Sequence, residues 1–261
     1  MILDAGATRQ SPIEEWHAAR ASAWRMHAGM ALPAAYRDAA DEHSPVFLED
    51  LSWRVRCGCK GPRAEAWLLR RGISVPQGFN RWLLHDGIFT ARLAMSEFLI
   101  ESWSDGEAAH SGQDEIVQGL ASDLSAPASL ASGLQKDFPK GLPEGLAGDP
   151  SGSSRAALPS AGLYPVIRQD LAIGLRGPRA NDLLLETCSV DFHELLAQAS
   201  GPTAGSLALT SMVGVAVTVA VRRAASHVEY EIWCDPSFGP YLWTTLVEVA
   251  ESLHGGVRAS P

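Results

Sequence analysis

Two stretches of the chain share one pattern of apolar and polar positions. In each, a strand-like segment ends at a Gly-Pro-Arg-Ala turn, Gly61–Ala64 or Gly177–Ala180, and a helical segment follows. The apolar residues behind the turns recur at i, i+3 and i+4, the spacing of one helix face: Ala64, Trp67 and Leu68 in the first, and Ala180, Leu183 and Leu184 in the second. Because proline is tolerated in a first helical turn, each turn also predicts where a helix begins.

Further strand-like runs follow each predicted helix. These runs are IFTARLA and EFLIESW in the first half, and GVAVTVAV and VEYEIWC in the second, with a closing helix over Gly239–Leu253. The pattern predicts two related β-α-β-β units, and hence an α+β fold with mostly antiparallel pairing. The Ala-rich segment Glu14–Met30 predicts an N-terminal helix that packs against the first unit.

A segment of different composition separates the two units. From about Ser104 to Ala161 the chain is rich in Gly, Ser, Ala, Pro and Asp, a composition that buries too little apolar surface to offset the entropy of ordering. We expect a flexible linker or insert, with one short helix at Asp114–Leu124. The predicted division is therefore 1–104, 105–160 and 161–261.

Charge and composition restrict the classes of partner and location. The formal net charge of −9 disfavours binding to nucleic acid or to an anionic membrane surface. The longest apolar run, Leu207–Val221, is interrupted by polar residues and is shorter than a membrane-spanning helix, and the first twenty residues contain no apolar signal segment. We therefore expect a cytoplasmic protein whose four cysteines are free thiols.

Three short polar motifs have structural explanations that we favour over chemical ones. Cys57 and Cys59 are too closely spaced for the usual paired-cysteine metal site, and on a strand they become two thiols on one face. His85-Asp86 precedes a glycine and indicates a turn. Asp191 is expected to cap a helix, with Glu194 as its reciprocal partner and His193 between them.

No dinucleotide-binding glycine motif, phosphate-binding loop or nucleophile elbow occurs. We therefore predict no catalytic residue, no metal site and no cofactor bound by this chain alone. One aromatic turn remains open between two functions: it either binds a flat ligand or a partner, or closes the core. Its residues are Trp233, Asp235, Pro236, Phe238 and Tyr241.

Several segments, in order, resemble the gamma subunit of heterotetrameric sarcosine oxidase. They are GPRANDLLLETCSVDFHEL from Gly177, TSMVGVAVTVAV from Thr210, YEIWCDPSFGPYLWTTLVEVAESL from Tyr230, and LLRRGISVPQGFNRWLLHDGIFTARLAMSEFLIES in the first half. That family is related to the folate-binding T-protein (aminomethyltransferase) of glycine cleavage. The N-terminal segment ARASAWRMHAGMALPAAYRDAADEHSPVFLEDLSWRVRCGCKGPRAEAWL resembles the T-protein opening, including Glu42-His43 and Leu51-Ser52.

The chain departs from the T-protein pattern where that family carries its acids. An acidic pair follows the glycine of one T-protein strand, whereas Gly87 here is followed by Ile88, Phe89 and Thr90, which cannot accept a proton. A second T-protein glutamate precedes the strand that begins near Tyr230. The corresponding residues here are Ala224–His227, although Glu229 lies two residues on.

The resemblance implies a non-catalytic gamma-type subunit of a flavin-dependent enzyme that demethylates sarcosine or a similar N-methyl amine. It also implies that FAD, FMN, NAD and tetrahydrofolate are bound by partner subunits. The expected partner or ligand surface combines two groups of residues, Asn80, Arg81 and Trp82 with Trp233, Asp235, Phe238, Tyr241 and Trp243.

Two other functions remain open. The chain could be a small stand-alone tetrahydrofolate-binding protein or demethylase, in which Arg54, Arg56, Arg63 and Arg179 are available for the polyglutamate tail. The missing carboxylates argue against this function. The blander alternative is a general scaffold protein with no link to amine oxidation.

Overall fold

A computed structural model describes residues 8–41, 43–103, 110–125, 162–197, 201–223 and 228–260. The helices are α1 (Glu14–Arg20), α2 (Ala64–Arg70), α3 (His110–Ser125), α4 (Ala180–Thr187), α5 (Phe192–Ala197) and α6 (Gly239–Ser252). The strands are β1 (Ala21–His27), β2 (Met30–Tyr36), β3 (Phe47–Asp50), β4 (Arg56–Lys60), β5 (Arg81–His85), β6 (Ile88–Ala94), β7 (Glu97–Ser102), β8 (Tyr164–Val166), β9 (Leu171–Arg176), β10 (Ala204–Met212), β11 (Val215–Arg223), β12 (Val228–Cys234) and β13 (Gly256–Arg258).

Most of the strands belong to one large sheet. Its eleven strands follow the order β13-β3-β9-β12-β11-β10-β5-β6-β7-β4-β8, and β1 and β2 form a separate hairpin. Among the described strands, only β13 and β3 pair in parallel. The α+β class and the mostly antiparallel pairing expected from the sequence are thus confirmed.

Each half of the sheet contains four strands in the same order. In the first half, β4 through α3, the order is β4-β7-β6-β5. In the second half, β9 through α6, it is β9-β12-β11-β10. The sequence pattern predicts two strands after each helix, but the structure has three. The additional strands are β5 in the first half and β10 in the second. The apolar run Leu207–Val221 is interrupted at Thr210, Ser211 and Gly214, and a turn at Val213 and Gly214, both with positive φ, divides it into β10 and β11.

The halves exchange the strands that precede them. β3 comes directly before β4 in the chain but pairs with β9, and β8 comes directly before β9 but pairs with β4. At each exchange a glycine with positive φ ends the strand: a Cβ on Gly61 would lie 2.5 Å from the Gly162 carbonyl oxygen, and one on Gly177 would lie 2.5 Å from that of Pro45. The Gly-Pro-Arg-Ala turns are therefore sites of close backbone approach between the halves.

The predicted N-terminal helix over Glu14–Met30 is wrong. Only α1 is helical; the chain then forms the β1–β2 hairpin, in which Met26 pairs with Ala31 and His27 with Met30. Ala28 and Gly29 both have positive φ, as a tight hairpin turn requires. The helix propensity of the Ala-rich segment is overridden by this turn and the cross-strand pairing.

The helices cover one face of each half. The apolar faces predicted behind the two turns are confirmed, because Ala64 and Leu68 of α2 and Leu183 and Leu184 of α4 are fully buried. Pro62 and Pro178 precede these helices by two residues, in the turn and not in the helix itself.

The helix predicted at the start of the insert lies within α3. Residues 126–161, most of the predicted linker, lie outside the described residues. The proposed boundaries at 104 and 160 therefore stay predictions. A third apolar cluster, described below, joins the two halves.

Candidate functional site

Four aromatic rings fill the space where the two halves meet. Phe89 of β6 stacks on Trp103 with ring centroids 4.3 Å apart and an interplanar angle of 12°, and Trp233 of β12 stacks against Phe89 at 5.4 Å. Trp82 of β5 lies 5.5 Å from Phe89, and its Nε1 donates to the carbonyl of Val221 at 3.2 Å. This aromatic cluster, Trp82, Phe89, Trp103 and Trp233, is buried.

A fully buried carboxylate lies beside the aromatic cluster. Glu101 of β7 accepts hydrogen bonds from Nε1 of Trp103 at 2.8 Å and from Nε1 of Trp233 at 3.0 Å. The Nε of Arg56 lies 2.9 Å from its Oε2. Both oxygens are therefore engaged, and one of the indole donors comes from the other half. Glu101 connects the halves by polar as well as apolar contacts.

A second buried acid extends the charged network. Glu231 of β12 accepts from Nη2 of Arg176 at 2.5 Å, and Nη1 of Arg54 lies 3.5 Å from both Glu231 and Glu101. Burial alone lowers the pKa of Arg176, but the carboxylates of Glu231, Glu229 and Glu49 outweigh burial and raise it. The arginine is held in its charged form, and the acids and bases of this network neutralise one another.

Hydrogen bonds from widely separated segments meet at Asp50, a second polar centre that the sequence analysis missed. Asp50 Oδ2 accepts from Ser11 at 2.5 Å and lies 2.8 Å from Nε2 of His17, whose Nδ1 is 2.9 Å from the Tyr36 hydroxyl. Burial raises the pKa of Asp50, but hydrogen bonds from His17, Ser11 and Ser52 outweigh that effect and lower it. His17 is completely buried, so this chain of hydrogen bonds anchors the N-terminal segment to β3.

Two cavities flank Asp170 on the segment that joins β8 to β9. The smaller, with a volume of about 430 Å³, lies between the β6–β7 hairpin and strands β10 to β12. The larger, about 980 Å³, lies among β4, β8, α3 and the N-terminal segment, and its lining includes Arg9, Arg56 and Arg168. We call the smaller cavity the groove and the larger one the cleft. Both have volumes within the range of small-molecule sites.

The structure separates the residues predicted to form one partner or ligand surface. Trp82 and Trp233 belong to the buried aromatic cluster, and Trp243 of α6 is buried elsewhere, 5.4 Å from Trp16. Trp82 and Trp243 are core residues that offer no surface to a partner, whereas Trp233, although buried, also lines the groove.

The other members of the predicted surface remain at least partly accessible. Asp235, Phe238 and Tyr241 are exposed near the start of α6, and Asp235 accepts from the backbone N–H of Ser237. Asn80 and Arg81 are half-buried at the start of β5, where Arg81 bonds Ser206. Trp82 and Trp233 occupy the strand positions that face inward, and Trp243 lies on the buried face of α6; aromatic content alone did not reveal these directions.

The three short polar motifs occupy ordinary structural positions. Cys57 and Cys59 are buried side by side in β4, and burial raises the pKa of each to about 12. His85 ends β5 and Asp86 begins the turn that follows, both exposed, and Asp191 accepts from the backbone N–H of His193 ahead of α5.

Three structural findings bear on the predicted absences. Across the described ranges, no three His, Cys, Asp or Glu side chains are grouped so as to hold a metal ion. Of the helices described, none is both long and apolar enough to cross a membrane. Ile88, Phe89 and Thr90 are buried, and the segment Ala224–His227 lies outside the described residues.

Of the four arginines considered for a folate tail, three are already paired with acids. Arg54 and Arg56 belong to the buried ionic network around Glu101. Arg179 pairs with Asp182 on α4 at 2.8 Å, and Arg63 is exposed.

Comparisons with known proteins identify the fold. A chain of the heterotetrameric sarcosine oxidase from Corynebacterium sp. U-96, in complex with pyrrole 2-carboxylate, superposes with a TM-score of 0.55 at 15% sequence identity; the match covers 95% of this chain and 97% of that one. The aminomethyltransferase T of the glycine cleavage system from Bartonella henselae matches with a TM-score of 0.54 at 14% identity. The chain has the fold of these two proteins.

The two matches differ in how much of the neighbour they cover. The match to aminomethyltransferase T covers 96% of this chain but only 59% of that longer protein. No sequence-family profile matches the chain, and no curated protein matches it either. The fold, including its relationship to the folate-binding T-protein fold, thus rests on three-dimensional similarity.

Proposed function

We propose that this chain is a non-catalytic gamma-type subunit of a cytoplasmic, heteromeric, flavin-dependent oxidase or demethylase acting on sarcosine or a similar N-methyl amine. FAD, FMN, NAD and tetrahydrofolate would be bound by partner subunits. One comparison supports this proposal: a chain of a heterotetrameric sarcosine oxidase is matched over 97% of its length. We also propose that the two halves are related units, because the strands of each half follow the same order.

We propose a non-catalytic role because side chains fill the junction between the two halves. Four aromatic rings occupy it, and the buried acids Glu101 and Glu231 are neutralised by arginines of the same chain. A pterin ring would have to displace packed indoles, and buried charges left without partners are costly. The residues present at this junction therefore do not fit folate, and we derive no step through it.

Exposed apolar side chains near the start of α6 suit the partner surface. Phe238 and Tyr241 are 54% and 56% exposed, and Asp235 lies beside them. Aromatic residues are enriched in protein interfaces, where they contribute much of the binding energy. We therefore assign subunit contact to Asp235, Phe238 and Tyr241, with Asn80 and Arg81 as accessible residues of the first half.

Co-purification tests the proposal directly. The tagged chain is co-expressed with candidate flavin subunits encoded by neighbouring genes, and the purified material is examined for subunit composition and flavin absorbance. Stoichiometric flavin subunits are the expected result. A folded, colourless monomer with every candidate would contradict the gamma-subunit assignment.

A variant pair locates the contact surface. Phe238→Glu should reduce recovery of the flavin subunits at least about tenfold, since removing one interface hot spot costs about 2 kcal/mol or more. Leu69→Glu on α2 is the control, because Leu69 is 54% exposed, as Phe238 is, and its helix belongs to the other half. Equal recovery with the two variants would move the contact surface elsewhere.

The cleft keeps stand-alone folate binding as a second candidate. Its volume of about 980 Å³ is sufficient for a folate, and its lining includes Arg9, Arg56 and Arg168, of which Arg56 is already paired with Glu101 and Arg168 with Glu97. Isothermal titration of the isolated chain with tetrahydrofolate decides this function. A dissociation constant weaker than about 1 mM, equivalent to roughly 4 kcal/mol, would end it.

A further inference from the structure

The groove has apolar walls from both halves of the sheet. Leu93 and Leu99 of the β6–β7 hairpin face Leu209 of β10 and Trp233 of β12 across a volume of about 430 Å³. Leu209 is paired with Thr218, and Thr218 with Trp233, so the three side chains lie on one face of the sheet. The groove is thus a concave apolar surface of the size that a small organic molecule fills.

One carboxylate in the groove is poorly compensated. The Asp170 side chain is 17% exposed, and in the part of the chain that the structure describes its buried Oδ2 has no hydrogen-bond partner. Arg168 Nη1 remains 3.9 Å from the other oxygen, while Nη2 of the same guanidinium donates to Glu97 at 2.9 Å. Buried carboxylates are ordinarily hydrogen-bonded or closely paired, whereas the Arg168 guanidinium approaches the Asp170 carboxylate only to 3.9 Å.

The charge balance around the groove points the same way. Burial raises the pKa of Asp170, and the nearby charges of Arg168 and Arg56 only partly offset it. Asp235, the other acid of the lining, is exposed and caps the turn at Ser237. Two acids and one arginine line the groove, which leaves it negative by one charge.

We propose that the groove binds a small organic cation, a protonated amine carrying an apolar body. The ammonium group donates hydrogen bonds to the Asp170 carboxylate, and the apolar body lies between Leu99, Leu209 and Trp233. A charge-assisted hydrogen bond in a partly desolvated site is stronger than a neutral one, so the ligand's charge determines selectivity. This site needs no partner subunit and is independent of the function proposed above.

Benzylamine hydrochloride is a suitable probe, with benzyl alcohol as its uncharged counterpart. The isolated chain is titrated with each compound, and binding is measured by calorimetry and by tryptophan fluorescence. Benzylamine should bind saturably, and benzyl alcohol should bind at least about tenfold more weakly. Asp170→Asn should weaken benzylamine about tenfold or more. Asp182→Asn, which makes the same charge change at an exposed position on α4, should leave it unchanged.

A second variant keeps the test independent of any folding defect at position 170. Leu209 is 52% exposed, so Leu209→Arg is compatible with folding and places a long cation over the groove. It should abolish benzylamine binding while circular dichroism remains that of the wild type. The proposal is overturned by equal affinity for amine and alcohol or by binding that survives both variants. Absence of saturable binding to the wild type up to roughly 20 mM also overturns it.

Discussion

Replacing Glu101 by glutamine should remove much of the stability of the protein without changing side-chain size. Glu101 is completely buried and accepts from two indoles, one in each half, while Arg56 lies 2.9 Å away. The glutamine side chain retains one acceptor oxygen, but its amide group opposes a donor and leaves the buried guanidinium without its counter-charge. Breaking a buried ion pair on one side costs about 3–5 kcal/mol. Domains are stable by about 5–15 kcal/mol in total.

Urea unfolding, followed by tryptophan fluorescence and circular dichroism, measures this loss. The matched control is Glu97→Gln on the same strand, because Glu97 makes a comparable 2.9 Å pair with Arg168 but is 35% exposed. Partly exposed pairs contribute about 0–1 kcal/mol, so the control should lose no more than that.

A double variant separates the unpaired charge from other effects. Glu101→Gln combined with Arg56→Met leaves neither charge alone, so its loss should fall short of the sum of the single losses by at least about 1 kcal/mol. The reasoning would be refuted by a loss below about 1 kcal/mol for Glu101→Gln, or by equal losses for the two glutamates. Strict additivity in the double variant would also refute it.

Three further predictions concern backbone, pH and thiols. Gly177 has φ +105, and a Cβ at this position would lie 2.5 Å from a carbonyl oxygen, whereas Gly72 has positive φ but open space around it. Gly177→Ala should therefore lower the free energy of unfolding by more than Gly72→Ala. Thermal melts compare the two variants, and equal losses would exclude the steric contact as the cause. The pKa of Asp50 is lowered in the folded state, so the folded protein binds fewer protons and its stability falls as pH drops below about 4. In urea titrations at different pH, Asp50→Asn should flatten that dependence below about pH 4, whereas an unchanged slope would show that Asp50 does not cause it. Cys57 and Cys59, buried and with pKa raised to about 12, should react with a thiol reagent only after unfolding, and rapid labelling of the native chain would contradict their burial.

Local structure was predictable wherever short-range periodicity and turn chemistry determine it. The apolar faces of α2 and α4, the glycines at the strand ends and the α+β class followed from spacing within short segments. The Gly-Pro-Arg-Ala pattern placed Gly61 and Gly177 at strand ends, and the positive φ of both residues explains why glycine occupies them. The hairpin β1–β2 was mispredicted as helix, because local propensity is weaker than strand pairing and a turn supported by the whole fold.

Direction and long-range pairing were decided only by the tertiary structure. Alternation shows that an indole belongs to a strand, but not that Trp233 turns inward to donate to Glu101, 132 residues away. The exchange of β3 and β8 between the halves likewise leaves no periodic trace, since each strand is followed closely by the strand it does not pair with. A sequence specifies which side of each element is apolar. Which elements meet, and which buried charges then find partners, depends on the free energy of the complete assembly.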